Sequence, residues 1–324
     1  MCESSMILAA PPCTALASDV RETLQRSPRE IASRYLYDEL GSVLFDAICR
    51  LPWYKVTRSE LALLDQHAPE IVEAAGRPSR IVELGPGRGD KLTLFLERGW
   101  TSPGPLAVDL IDVSQGALDA ARQQLAAHDH VAVTTWPMSY ENGLRAVGRA
   151  ERAGVRTLAL FLGSNIGNFD PPEAAHLLAQ VRAVLAPGDG LLIGTDLVKP
   201  EGELLAAYDD PLGVTAAFNR NLLVRLNREL GADFDLSRFS HRAVWRADPS
   251  RVEMHLVSRT AQTVRVPGAD LVLKLAAGET ILTERSYKYE ADGVRQWLGA
   301  SGFVPVGQWG GPVLGFALTL ARVP

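Results

Sequence analysis

The stretch IVELGPGRGDK, residues 81–91, decides the fold of this chain. Its first residues are apolar and partly β-branched, which favours a β-strand. A Gly-x-Gly-x-Gly run follows, and KLTLFLERG, residues 91–99, has the apolar spacing of a helix. Glycines let the backbone turn sharply and approach a ligand, and the start of a helix offers free N–H groups. We therefore predict a strand, a tight turn and a helix, the unit that opens many α/β binding sites.

The position of the acid in this stretch separates two classes of α/β protein. A dinucleotide oxidoreductase usually has Gly-x-Gly-x-x-Gly and an acid after the next strand. Here Glu83 precedes the glycines, an order that resembles motif I of the class I S-adenosylmethionine-dependent methyltransferases. The resemblance implies that the turn holds the methionyl end of the cofactor. The alternative is a tight turn of the kind that any α/β protein can have.

A second apolar strand, PLAVDLIDVS at residues 105–114, ends in Asp112. This acid lies about 25 residues after the glycine turn, near the spacing expected for a carboxylate on the cofactor ribose. Both ribose hydroxyls are donors, and one carboxylate accepts from both. Asp109 is the rival, but Asp112 ends the strand, where parallel sheets bind ligands. Alternatively, Asp112 only caps the helix that begins near Ser114.

The composition is that of a folded protein. Of 324 residues, 47% are hydrophobic and 22% are charged, enough for one large domain or two ordinary ones. The formal net charge is −5 without a long basic run, so we expect no nucleic-acid partner. The cysteines, Cys2, Cys13 and Cys49, and the six histidines have the spacing of neither a disulfide framework nor a metal site. We expect no metal.

The N-terminal segment ILAAPPCTALA, residues 7–17, is apolar, but it follows no basic segment and contains two prolines. We therefore do not expect a signal peptide. No apolar run approaches the length that spans a membrane. We expect a cytoplasmic monomer that acts on a small molecule and does not associate with membranes.

Residues 61–198 alternate apolar runs with amphipathic stretches such as PEAAHLLAQVRAVL. Such alternation predicts an α/β fold with a doubly wound, mainly parallel sheet. The strand candidates are IVEL, LAVDLID, VAVTTW, TLALFLG and GLLIGTDLV.

Residues 199–287 have a different character, because a helical stretch, VTAAFNRNLLVRLNREL, leads into the short runs RVEMHLVS, QTVRV and LVLKL. The turns VPGAD and AAGET between them indicate antiparallel strands. The helix ADGVRQWLGASG and the run GFALTLARV then fit the last helix and closing hairpin of a class I methyltransferase sheet. We therefore predict a Rossmann-like, seven-stranded methyltransferase domain at 61–198 plus 288–324. An α+β substrate-binding domain is predicted at 1–60, a mostly helical block, plus 199–287.

The run LALFLGSNIGNFDP, residues 158–171, places a polar turn directly after a buried strand. This strand lies next to the cofactor strand in a doubly wound sheet, so its carboxyl end faces the transferred group. Asn168 is able to accept from an amine and to donate to a carboxylate. The alternative is that Asn165 and Asn168 only supply turn conformations.

Several longer motifs resemble one family, the histidine Nα-methyltransferases of ergothioneine biosynthesis, which also includes some fungal tryptophan-derivative N-methyltransferases. The resemblance runs from about residue 34 to the C-terminus. It implies trimethylation of the α-amine of histidine to hercynine with S-adenosylmethionine as cofactor. The motifs are RYLYDELGSVLFDAICRLPWYKVTRSE, VELGPGRGDK, FLGSNIGNF, GTDLVK, AYDDPLGVTAAFNRN, RVEM and LTERSYKY.

The resemblance also implies the substrate-binding residues. The imidazole is held by Tyr54, Glu284 and Ser286, which suits a ring with one donor and one acceptor nitrogen. The carboxylate and amine lie against Asn168 and Tyr208. The carbonyl of Gly163 faces the amine, and Phe45 and Met254 line the pocket. Tyr37 lies near the amine and the sulfonium, and the resemblance implies that Tyr37 and Asn168 are the catalytic residues.

Each of these positions has a simpler explanation. Tyr37, Tyr54 and Phe45 are also ordinary candidates for a core, because most aromatic side chains are core residues. Glu284 is also a candidate for a solvated strand residue. Ser286 is two residues further on, so in a strand both side chains point to one face.

For the cofactor the resemblance implies Gly85, Lys91 and Asp112. The family commonly has Asp-Phe after the third strand, where the acid accepts from the adenine amino group. This chain has Ser139 and Tyr140 at those positions. The serine hydroxyl is able to accept from the adenine amino group, but unlike the acid it carries no charge.

Two other functions remain open from the sequence. One is an N-methyltransferase for a tryptophan-type amine, although Glu284 and Met254 both match the histidine pattern. The other is a protein that binds S-adenosylmethionine without turnover.

Overall fold

The computed structural model describes residues 12–100, 104–148 and 154–324, so Cys2 and the start of the apolar N-terminal segment lie outside it. The chain divides into two compact units. The small unit comprises Met1–Phe45, Asp209–Val244 and Glu253–Glu284, and the large unit comprises Asp46–Tyr208, Trp245–Val252 and Arg285–Pro324. The domain boundaries predicted from the sequence lie at other residues and stay a prediction.

Helices form where the apolar spacing and the caps agree. Before α7, Asp170 and Glu173 form a capping box and a proline occupies the first turn. None of the helices in the described ranges is both long and apolar enough to cross a membrane. The helices are α1 Pro12–Gln25, α2 Glu39–Arg50, α3 Lys55–Ala74, α4 Asp90–Gly99, α5 Gln115–Leu125, α6 Tyr140–Val147, α7 Pro171–Val184, α8 Glu201–Tyr208, α9 Val214–Leu230 and α10 Ala291–Ala300.

The strands follow the apolar runs in the large unit and are harder to recognise elsewhere. They are β1 Arg29–Glu30, β2 Arg80–Leu84, β3 Leu106–Asp112, β4 Val131–Pro137, β5 Thr157–Phe161, β6 Gly190–Asp196, β7 Phe239–Arg246, β8 Arg251–Ser258, β9 Gln262–Val266, β10 Leu271–Leu275, β11 Thr280–Tyr287, β12 Val304–Gly311 and β13 Phe316–Arg322.

The large unit contains a seven-stranded sheet with the order β12-β13-β6-β5-β2-β3-β4. Strands β2 to β6 are parallel to one another, and β13 is antiparallel to both β6 and β12. Strands β2, β5 and β6 are buried at every residue, as expected for central strands covered on both faces. This is the predicted class I methyltransferase fold, so that prediction is confirmed.

A second sheet has the order β1-β11-β8-β7, and β9 pairs with β10 in an antiparallel ladder. The sequence predicted β8, β9 and β10, but it indicated neither β1 nor β7. Strand β1 has two residues and pairs in parallel with β11 inside a block predicted to be mostly helical. Two residues are too few to show a period of two, so the pattern could not reveal this strand.

One buried ion pair joins the neighbouring strands β2 and β3 of the large sheet. Arg80 of β2 donates to Asp109 of β3 through Nε at 2.8 Å and lies 2.7 Å from the same carboxylate oxygen through Nη2. The other oxygen of Asp109 accepts from Trp136 Nε1 at 2.9 Å. Arg80 and Asp109 are only 7% and 6% exposed. A buried pair with all these bonds is costly to break from one side.

We expect Asp109→Ala to lower the free energy of unfolding by about 3–5 kcal/mol, because it leaves a buried guanidinium without its carboxylate. Urea unfolding followed by circular dichroism measures the loss. The matched control is Asp119→Ala, whose partner Arg122 is exposed, and it should cost no more than about 1 kcal/mol. Equal losses in the two variants would show that the buried pair has no special role.

Candidate active site

The glycine turn between β2 and α4 has a backbone that other residues rarely adopt. Gly85, Gly87 and Gly89 have φ angles of +69°, +56° and +89°, which is the left-handed region. Space is also short at Gly85, where a Cβ would lie 2.5 Å from the hydroxyl oxygen of Tyr140 and 2.9 Å from Nδ2 of Asn165. Glycine is therefore required here both by conformation and by close approach.

Asp112 ends β3 beside this turn. Its carboxylate accepts from the backbone N–H of Ser114 at 2.9 Å and from those of Gly87 and Val113. Burial raises the pKa of Asp112, against these three donors. Helix α5 has its own cap, because Ser114 Oγ accepts from the N–H of Ala117 at 3.3 Å. Asp112 thus connects the strand end to the glycine turn, whereas Asp109 is already engaged in its ion pair.

Glu83, near the end of β2, has a buried carboxylate oxygen that is available to accept a hydrogen bond. It is 1% exposed, and its Oε2 is buried without a hydrogen-bond partner among the described residues. Burial raises the pKa of Glu83 to about 8. The positive charge of Lys91 opposes this increase, whereas the negative charges of Glu60 and Asp112 add to it. A buried acceptor at the glycine turn fits a cofactor that brings an ammonium group, as the methionyl end of S-adenosylmethionine does.

Glu60 of α3 is a residue to which the sequence analysis assigned no role. It is completely buried, and its two oxygens accept from the N–H of Gly163 at 2.8 and 2.9 Å. Oε2 also lies 2.7 Å from Nζ of Lys91. This carboxylate outweighs the effect of burial and raises the pKa of Lys91. The one available signal was that Glu60 ends the motif RYLYDELGSVLFDAICRLPWYKVTRSE.

The polar turn after β5 is held in one conformation. Gly163 and Ser164 have φ angles of +78° and +57°, and a 3₁₀ helix, Asn165–Asn168, follows. Ser164 Oγ accepts from the N–H of Asp196 at 2.9 Å. Asn168 is half-buried at the end of this turn. The turn therefore lies at the carboxyl ends of β5 and β6, where doubly wound folds bind ligands.

Two predicted substrate residues meet at the end of β11. The hydroxyl oxygens of Tyr208 and Ser286 lie 2.8 Å apart, and Lys288 Nζ donates to them at 2.8 and 2.7 Å. The ring of Tyr54 lies 6.2 Å from that of Tyr208, centroid to centroid. The large unit thus brings Tyr54, Tyr208 and Ser286 together, whereas Lys288 was not among the residues predicted from the sequence.

The small unit gathers the other aromatic positions. Tyr37 lies 5.4 Å from Phe45 and 5.5 Å from Phe218 between ring centroids, and Phe45 lies 5.9 Å from Phe218. Phe218 was not predicted, although the motif AYDDPLGVTAAFNRN contains it.

Met254 and Glu284 lie on the neighbouring strands β8 and β11 and are 2% and 9% exposed. The burial of Glu284 contradicts the alternative that it is a solvated strand residue.

The two positions at the start of α6 have different surroundings. Ser139 is exposed, and its Oγ caps the helix by accepting from the N–H of Asn142 at 3.4 Å. The hydroxyl of Tyr140 lies against the glycine turn, and its ring packs on Phe161 with centroids 5.5 Å apart. Burial raises the pKa of Tyr140, so its hydroxyl stays protonated.

Metal-binding clusters were sought among the same described residues. Within them, no group of three or more His, Cys, Asp or Glu side chains is arranged to hold an ion.

Comparison with known proteins gives consistent similarities. The family model of the histidine-specific, S-adenosylmethionine-dependent methyltransferases matches residues 16–323. The chain is 41% identical to the histidine N-alpha-methyltransferase of Mycolicibacterium smegmatis over 98% of each chain. It is 40% identical to that of Mycobacterium tuberculosis, over 95% of this chain and 94% of the other. Ergothioneine biosynthesis protein 1 of Neurospora crassa is 31% identical over 63% of this chain and 23% of its own length.

The raised pKa of Glu83 predicts a pH dependence of stability. The pKa is 4.5 for an ordinary glutamate and about 8 in the fold, so between these values the folded state holds a proton that the unfolded chain has lost. The free energy of unfolding therefore falls as pH rises through this window, on the order of a few kcal/mol. Glu83→Gln removes this loss.

Urea unfolding of the cofactor-free protein at pH 5.5 and pH 8 tests this expectation. The parent protein should lose stability relative to Glu83→Gln between the two pH values. The control is Glu97→Gln on the exposed face of α4, which should follow the parent. If the parent and Glu83→Gln change in parallel, Glu83 ionises normally in the fold.

Proposed function

The chain belongs to the histidine-specific, S-adenosylmethionine-dependent methyltransferases, and from this premise we propose that it trimethylates the α-amine of L-histidine to hercynine for ergothioneine biosynthesis. The observation that carries the proposal is the polar cluster at one sheet edge. The Gly163–Asn168 turn lies beside the glycine turn, since a Cβ on Gly85 would approach Asn165. The same turn is connected through Asp196 and Lys288 to Tyr208 and Ser286, and Tyr54 packs on Tyr208. Polar groups that converge at this edge are what an amino-acid substrate requires.

The cofactor supplies an activated methyl group on its sulfonium. We assign its binding to Gly85, Lys91 and Asp112, with Tyr140 beside the turn and Glu83 accepting from an ammonium. The assignment of Asp112 to the ribose hydroxyls is supported by its position at the end of β3, with its carboxylate beside Gly87. Ser139 and Tyr37 are also assigned as cofactor contacts, on the pattern of the family alone.

The α-amine and carboxylate of the substrate are assigned to the large unit. Asn168 accepts from the amine and donates to the carboxylate, and the Gly163 carbonyl accepts from the amine. Glu60 fixes that carbonyl by binding the N–H of the same residue. Tyr208 binds the carboxylate. Tyr54 and Ser286 hydrogen-bond the imidazole.

The small unit supplies the remaining assignments. Glu284 accepts from the imidazole N–H, and Met254 lines the pocket for the ring. Tyr37 orients the amine lone pair, and its face and that of Phe45 stabilise the growing quaternary ammonium. The Tyr37–Phe45 pair meets edge to face at 5.4 Å, so the two rings support each other.

Methyl transfer needs an unprotonated amine held about 3 Å from the methyl carbon. An α-amine has a pKa of about 8, so little driving force is required to remove its proton. The residues named above therefore act mainly by orientation and by excluding water.

We expect mass spectrometry to show a gain of three methyl groups when histidine is incubated with the protein and S-adenosylmethionine. Light scattering on the same sample should give the mass of one chain, in keeping with a cytoplasmic monomer. Ring-methylated histidine, or turnover of tryptophan alone, would overturn the substrate assignment. Cofactor binding without turnover of any of the twenty amino acids would identify a binding protein instead.

Removing the Glu284 carboxylate should change selectivity. Glu284→Ala leaves the imidazole N–H of histidine unpaired, which costs about 1–3 kcal/mol. A substrate with a large apolar ring instead binds more favourably, because its ring no longer removes water from a charged carboxylate. The ratio of kcat/KM for tryptophan over histidine should rise by at least about tenfold.

Glu290→Ala is the control for this variant, since Glu290 is exposed just beyond β11. It should leave the ratio unchanged. An equal loss for all amino acids in Glu284→Ala, or its unfolding, would make Glu284 a structural residue.

A further inference from the structure

Lys288 is a completely buried cation next to two hydroxyl groups assigned to the substrate. Its side chain is 0% exposed, and Nζ lies 2.9 Å from Asp196 Oδ2. Nζ also donates to Tyr208 and Ser286 at 2.8 and 2.7 Å. An ammonium has three donors, so each of these three oxygens receives one. Burial lowers the pKa of Lys288, but Asp196 and Tyr208 outweigh it and the pKa is raised.

A second buried lysine shares the same carboxylate. Lys199 is 13% exposed and pairs with Asp196 Oδ1. It also donates to the carbonyls of Gly315 at 2.8 Å and Leu197 at 3.1 Å. Three acceptors around one nitrogen match the three donors of an ammonium. Lys288 and the partly buried Lys199 therefore share the buried carboxylate of Asp196. Glu203 also acts on Lys199, but this exposed carboxylate is paired with Lys55, so positive charge remains in excess.

This excess charge lies at the edge of the sheet where the substrate is assigned. The N–H of Asp196 donates to Ser164, within the turn that carries Asn168. A Cβ on Gly167 would lie 2.9 Å from the carbonyl oxygen of Tyr287, so the end of β11 packs directly on that turn. Buried charge without a counter-charge is unfavourable, so an anion bound here is stabilised.

We propose that Lys288 is a positioning residue that makes the enzyme require a free α-carboxylate, acting through the hydroxyl of Tyr208. By donating to the oxygen of Tyr208, the ammonium strengthens this hydroxyl as a donor toward the carboxylate. Its bond to Ser286 holds the ammonium in place. Lys288 supplies the charge that selects amino acids over their amides. The inference rests on the proposed function and adds to it a basis for substrate class.

The experiment compares histidine with histidinamide, which keeps the amine and the imidazole but lacks the anion. The ratio of kcat/KM for the two substrates is measured for the wild type and Lys288→Met by mass spectrometry. We expect kcat/KM of the wild type to be at least about a hundredfold higher for histidine than for histidinamide. In Lys288→Met this ratio should be at least about tenfold smaller than in the wild type. The loss should come mainly from a higher KM for histidine, with histidinamide little changed.

Tyr287→Phe is the matched control. It removes a hydroxyl from the end of β11 that bonds Asp170 and Arg251 and leaves Lys288 in place, so the preference should not change. A role of Lys288 in folding alone would lower the rates for both substrates equally, and that outcome overturns the inference.

Lys199→Met keeps the test decisive if Lys288→Met does not fold. It removes the excess charge without touching either hydroxyl, so the preference should fall by at least about threefold. An unchanged preference overturns the inference. If the wild type methylates histidine and histidinamide equally, the inference fails while the proposed function stands. If it does not methylate histidine, both fail.

Discussion

The buried carboxylate of Glu60 is the contact on which the arrangement of two turns in the large unit depends. It joins a helix, the turn after β5 and the lysine that follows the glycine turn, through bonds of 2.7–2.9 Å. A charge removed from water must find such partners or be excluded from the fold. Because both oxygens are used, the backbone of Gly163 and the amine of Lys91 cannot move independently. The glycine turn and the turn after β5 are thereby held at a set separation.

Much of the fold was predictable because the central strands are buried on both faces and read as continuous apolar runs. All five candidate strands of the parallel region, and the closing hairpin, occur in the sheet. Strand β11 is different, since its burial pattern includes the polar side chains of Thr283, Glu284 and Ser286. Hydrophobicity does not mark a strand whose buried face is polar. Such a face is expected where a sheet contributes to a binding site.

The site was predictable in its residue types and not in its connections. The motifs contained Glu60, Lys288 and Phe218, but apart from Ser286, which neighbours Lys288, their partners are far away in sequence. Glu60 is 103 residues from Gly163, and Lys288 is 80 residues from Tyr208. Spacing along one chain identifies residues within a turn or a helix face, whereas a bond of this kind depends on how the elements pack. Asp112 and Asp109 could be told apart in advance only by position, and the ion pair to Arg80 supplies the physical reason.

Gly194, in the middle of β6, has no ligand and no special turn to form. A Cβ at this position would collide with Oε1 of Glu60, and it would also lie 3.0 Å from the ring of Phe316. The absence of a side chain there is what makes room for the carboxylate. A larger residue at position 194 is therefore sterically compatible only with a shorter one at position 60. Loss of this glycine would displace the carboxylate that joins the two turns, although Gly194 itself lies within the buried strand β6, at the start of the motif GTDLVK.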